Sequence, residues 1–118
     1  MDIRVKRIYE PASDQDGARF LVDRLWARGI SKESAQLTAW LKTVSPSNDL
    51  RKRLHGGAIG WDEFVSAYVA ELRSEAAQAE LETLRAAAAK APVTLLFASK
   101  QTARNNATVL RDYLLKTA

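Results

Sequence analysis

At 118 residues, with 47% hydrophobic and 27% charged side chains, the chain is large enough for one domain around one core. Its globular composition excludes a disordered chain or a collagen-like fibre. It has no cysteine, so disulfides, a thiolate nucleophile and cysteine-ligated zinc or iron–sulfur sites are excluded, a pattern that fits a reducing cytoplasm. No apolar run approaches the ~18 residues of a membrane span, and Met1 to Arg7 lacks the apolar segment of a secretory signal. The net charge of +4 lies wholly in residues 1–60, where eleven Lys and Arg face seven Asp and Glu, while residues 61–118 carry seven of each.

In chain order, Ile3 to Tyr9 alternates apolar and basic side chains, the period of two of a half-buried strand, and stops at Pro11 and the turn residues Ser13 to Gly17. Phe20-Leu21-Val22 reads as a strand covered on both faces, as in a parallel sheet. Gly29 breaks the pattern, and Ser31 with Ser34 is cap or turn chemistry. Leu37, Trp40, Leu41 and Val44 have helical spacing in a stretch short and Thr-rich enough for a strand; the expectation leans to a short helix or turn. Ser47 is placed as the N-cap of a short helix with Asp49 in its first turn and Leu50 and Leu54 inward, followed by a flexible loop at Gly56, Gly57 and Gly60.

Some thirty helical residues follow from Trp61, with Phe64, Tyr68 and Leu72 on one stripe and Leu81, Leu84 and Ala88 resuming it, which allows two helices or one bent helix. Pro92 stops the run. Val93 to Ala98 is apolar throughout and is expected to be a central strand, and Ala103, Ala107, Leu110 and Leu114 mark the buried face of a last helix. The sum is a single α/β domain over residues 1–118, with a mainly parallel sheet flanked by helices. Ligands of such sheets sit outside the carboxyl ends of the strands, which directs attention to Asp23 to Gly29 and Ser99 to Asn106.

The string Val22-Asp23-Arg24-Leu25-Trp26-Ala27-Arg28-Gly29 resembles the YeaO-like branch of the domain-of-unknown-function 488 (DUF488) family. So do Lys6 to Pro11, Asp16-Gly17, Trp40-Leu41-Lys42, Ser45-Pro46-Ser47 with Leu50-Arg51-Lys52, Phe64 with Tyr68 and Glu71-Leu72, and Thr94 to Phe97 followed by Asn105. The resemblance spans nearly the whole chain and implies a compact α/β domain without an assigned activity. Two positions depart from its pattern: Ala27 stands where relatives usually carry proline, and Asn106 where many carry histidine. An amide in place of an imidazole removes a general acid or base.

The strongest constellation is Asp23, Arg24 and Arg28 in one loop, with Trp26 and Asp23 as organisers. Strand alternation would send Asp23 and Arg24 to opposite faces. A guanidinium fork suits a carboxylate or phosphate, so Arg24 or Arg28 can clamp an anion. The competing reading pairs Asp23 internally with one of these arginines. Ser99, Thr102 and the start of the last helix, with Lys100 or Arg104 as a full charge and Asn105 and Asn106, form a second anion candidate, against simple capping by Ser99 or Thr102 with Asn105 bonded to backbone. Lys42 joins the proposed cleft.

His55 is the only histidine and reads as an exposed loop residue, with no local metal set around it. Ser47, His55 and Asp62 match no nucleophile motif, and no Walker or Rossmann glycine fingerprint indicates a nucleotide cofactor. The expected partner is a small anion. Two other readings are carried: nucleic-acid binding through the basic first half, including Arg51-Lys52-Arg53, and self-association through the alanine-rich helix Ala76 to Ala91. Of Trp26, Trp40 and Trp61, at least two are expected to pack and not to stack on bases.

Overall fold

The computed structural model describes residues 1–117. Four parallel strands, Ile3–Arg7 (β1), Ala18–Leu21 (β2), Ala39–Trp40 (β3) and Val93–Phe97 (β4), form one sheet in the order β1-β4-β2-β3. The α/β class read from the sequence is the observed one. All five residues of β4 are buried, because it lies between β1 and β2 with its faces covered, as its unbroken apolar run requires.

Side chains alternate across a strand, so the register of Ile3 with Val93, and of Phe20 with Leu95, puts these four residues on one face together with Phe97. That face carries the larger core, where Leu50, Tyr68, Leu84 and Leu110 arrive from four helices: Asn48–His55 (α2), Trp61–Glu71 (α3), Glu75–Lys90 (α4) and Asn106–Lys116 (α5). Truncating any one of these buried side chains to alanine is a cavity mutation costing roughly 2–5 kcal/mol. The opposite face has a smaller core of Ile8, Leu21, Ala27, Ala35 and Leu96, with Trp26 and Trp40 packed on it. Among the described residues a single four-residue helix, Lys32–Ala35 (α1), serves this side.

The same side of the sheet is sealed near the strand starts by a 3-10 turn, Asp14–Asp16. The Asp16 carboxylate accepts from Lys6 Nζ at 3.1 Å, from the Ser13 N–H at 3.0 Å and from Arg19 Nη1, and its carbonyl accepts from Thr94 Oγ1 at 2.7 Å. Gly17 follows at φ 66°, where an added Cβ would stand 2.0 Å from the Pro92 carbonyl oxygen. Only glycine fits this approach.

Three local expectations are corrected. Ala39–Trp40 is an edge strand beside Phe20 and Leu21 and not a helix or turn, held by Thr38 N–H to Arg19 O at 2.7 Å and Leu41 N–H to Leu21 O at 2.9 Å. Its helix-like spacing has another origin: Leu41 and Val44 enter the larger core while Leu37 and Trp40 pack on the smaller one. Ala103 is exposed in the loop ahead of α5 and not on its buried face. The cap of α5 is Asn105, in a capping box with Thr108, in place of Ser99 or Thr102. The long helical run is two helices, separated at Ser74, whose side chain accepts from the Ala77 N–H. Ser31 and Ser47 cap α1 and α2 as their sequence positions predict.

Candidate functional site

After β2 the chain crosses to the side of the smaller core, where Trp26, Ala27 and Ala35 pack, whereas after β4 it enters α5 on the side of the larger core. β2 and β4 are hydrogen-bonded neighbours, so two adjacent strands lead away in opposite directions. A crevice opens at such a divergence because no connection covers it. It is a cleft of about 820 Å³, bordered by the loops after β2 and β4, by α2 and by the start of α3.

Asp23 ties the two loops together. Its Oδ2 accepts from the Ala98 N–H at 2.8 Å and its Oδ1 from Asn106 Nδ2 at 3.0 Å, and the same amide donates to the Val22 carbonyl at 2.7 Å. Burial pushes the Asp23 carboxyl above its ordinary range, a rise opposed by the bonds from Asn106 and Ala98 and by the charge of Arg51. The expected pairing of Asp23 with Arg24 or Arg28 is absent. Asp23 and Arg24 both border the cleft, since they lie beyond the end of β2 and the pleat no longer dictates their directions.

Arg24 is engaged elsewhere. Its Nη2 donates to the Ser45 carbonyl at 2.8 Å and its Nε to that of Pro46 at 3.3 Å, which fixes the segment leading into α2. Ser47 caps that helix and is gripped by Glu71 through its hydroxyl at 2.6 Å and its N–H at 2.8 Å. A hydroxyl so engaged is no triad nucleophile. On the β1 side, Arg7 donates to the Ala98 and Ser99 carbonyls and lies 4.9 Å from the Tyr9 ring centroid, while Tyr9 donates its hydroxyl to the Arg28 carbonyl at 2.9 Å. One residue pair therefore braces both loops, an arrangement invisible to a reading of local motifs.

Of the residues singled out in the sequence, Asp23, Arg24, Trp26, Arg28, Ser99, Lys100, Asn105 and Asn106 all border the cleft. Lys42 does not: its ammonium sits 4.1 Å from the Trp40 ring centroid, a cation–π contact outside the cleft. Ser99 Oγ accepts from the Gln101 N–H, and the Asn105 side chain serves as the α5 cap and donates to the Gln101 carbonyl at 2.8 Å. Arg104, which the sequence offers beside Lys100 as a charge for the second anion candidate, borders the cleft as well, while three further residues there, Arg51, His55 and Trp61, carry no local sequence signal that places them at it. These three come from α2 and α3, elements whose approach to β2 and β4 no local pattern encodes. Arg51 borders the cleft while Arg53 borders a separate depression with Asp62 and Glu63, so the basic triplet divides around its helix. Trp26 and Trp40 pack edge to face at 5.3 Å, each with its indole N–H bonded to a carbonyl.

Residues 2–118 match the family described as the inactive DUF488-N3 subclade. The chain belongs to that subclade. It is 47% identical over 97% of both chains to the Escherichia coli K12 protein named uncharacterized protein YeaO. Uncharacterized proteins of Mycobacterium bovis and Mycobacterium tuberculosis H37Rv are each 42% identical to it, over 95% of this chain and 92% of theirs. No solved structure matches it. Among the described residues of this subclade member, no group of histidines and acids is arranged to hold a metal, and no helix is long and apolar enough to cross a membrane.

Proposed function

We propose that this protein binds a small anion, a phosphate or a carboxylate, in the cleft at the carboxyl ends of β2 and β4. The observation that carries the reading is a charge imbalance. Among the described residues bordering the cleft, Arg28, Arg51, Lys100 and Arg104 supply cations, and the only acid is Asp23, already bonded by Ala98 and Asn106. A concave surface with one sign of charge concentrates counter-ions, and flexible cations at its rim can close on a ligand. Arg28, Lys100 and Arg104 carry the contacts expected from the sequence, Arg51 adds to them, and Ser99 contributes its hydroxyl hydrogen.

Binding without turnover suits the subclade's description as inactive. Asn106 holds Asp23 with an amide that does not titrate, so the pair lacks the proton-transfer partner an imidazole would give. A cysteine-free chain also suits a reducing compartment such as the cytoplasm.

A thermal-shift series with phosphate, sulfate and small carboxylates tests the reading. Stabilisation of the wild type, lost in Arg28→Ala and in Arg104→Ala, is the expected outcome. Equal responses in wild type and both variants would remove the cleft as the site.

A further inference from the structure

We infer that the anion carries a flat aromatic ring and belongs to the nucleoside monophosphate class, an inference that rests on the anion reading and names its ligand. A bare phosphate explains neither the size nor the composition of the cleft. About 820 Å³ lies within the range of pockets that enclose whole organic ligands, and its lining joins cations to an aromatic and aliphatic group. Arg28, Lys100 and Arg104 come from the loops that follow β2 and β4, whereas α2 and α3 bring Leu54, Trp61 and Phe64 together with Arg51.

Trp61 and Phe64 lie nearly one helical turn apart, with ring centroids 5.3 Å apart and planes inclined by 25°. Phe64 is buried in the larger core, while Trp61 is only partly covered. The pair therefore presents a rigid indole, backed by a second ring, beside a group of cations. Such a combination holds a base by stacking and its phosphate by charge, without sequence-specific pairing.

Asp23 supplies the third element. Each of its oxygens accepts one hydrogen bond from the protein, which leaves lone pairs for a ribose hydroxyl or a ring amino group. Its negative charge directs a phosphate away from it and towards Arg28 and Lys100. A glycine-rich backbone cradle is not needed where side-chain cations surround the phosphate, which reconciles this ligand class with the missing Walker and Rossmann fingerprints.

Calorimetric titration of the full chain with the four common nucleoside 5′-monophosphates, ribose 5-phosphate, inorganic phosphate and adenosine tests the inference. At least one monophosphate is expected to bind about tenfold more tightly than ribose 5-phosphate, the increment of one stacked base. In Trp61→Leu that increment disappears while ribose 5-phosphate binding is kept. Equal affinity of the wild type for monophosphates and ribose 5-phosphate overturns the ring and leaves the anion reading standing. Adenosine binding as tightly as its monophosphate, or no binding of any anion, overturns both. Should Trp61→Leu fail to fold, the wild-type ratio of ring-bearing to ringless phosphate decides alone.

Discussion

Asp16 and Asp23 stand at the two ends of β2 and meet opposite fates. Asp16 is 7% exposed and gathers two cations and a backbone N–H. Burial alone would raise its carboxyl, but the bonds from Ser13, Lys6 and Arg19 outweigh it, and the group titrates below its ordinary range. Asp23 receives a backbone N–H and an amide, with no arginine or lysine bonded to it, and burial lifts its carboxyl above that range. At the sealed end the charges neutralise one another. At the open end the acid is occupied by neutral donors, and the cations of the cleft are not bonded to it.

The largest way to break this contrast is Asp16→Asn, which strands Lys6 and Arg19 without their carboxylate. Removing one partner of a buried pair costs about 3 kcal/mol or more, to be read as a lower urea midpoint. Next is Gly17→Ala, where the positive φ and the 2.0 Å approach to Pro92 predict a loss of about 2–3 kcal/mol. At the open end Gly29 also has positive φ, 81°, but nothing lies within 4 Å of an added Cβ, so Gly29→Ala should cost only about 1 kcal/mol, the conformational part alone. Similar losses for the two glycine variants would contradict the picture of a tight end and an open one.

Asn106→Ala removes the donor shared by Asp23 and Val22 and should cost about 1–2 kcal/mol. The pH dependence sharpens the comparison further. Asp16, depressed in the fold, contributes stability that is present above its unfolded value of 3.8 and lost as the pH falls through its lower folded value. Asp23 has the opposite sign: its raised folded value means that stability declines as the pH rises from 3.8 through that value. Unfolding free energies across the acid range should therefore lose their alkaline-side decline in Asp23→Asn and their acid-side decline in Asp16→Asn. The smallest stability effect is expected of Arg28→Ala, within about 0.5 kcal/mol of wild type for an exposed side chain, while its anion response vanishes.

Much of this architecture is legible in local pattern. The apolar run Val93 to Phe97 can only be satisfied with both faces covered, and it is the strand between β1 and β2. Ser31, Ser47 and the loops after β2 and β4 also follow from residue type and spacing, because capping and the location of a parallel-sheet crevice depend on few neighbours. The two-residue strand Ala39–Trp40 was not legible. Its ladder partners lie in Phe20 and Leu21, and its apolar residues serve two different cores, so their spacing imitates a helix.

By itself, then, the sequence determined the α/β class, the central strand and the two loops that carry the cleft, since periodicity and turn chemistry act over a few residues. Only the tertiary structure decided which charges are spent and which are free. Arg24 is consumed by Ser45 and Pro46, Lys42 rests on Trp40, and Asp23 is held by Asn106 from more than eighty positions away. Meanwhile Arg51, His55 and Trp61 reach the cleft from α2 and α3. The physical reason is that a charge takes its role from the groups folding places within a few ångströms of it, and these residues meet only when the helices close over the sheet.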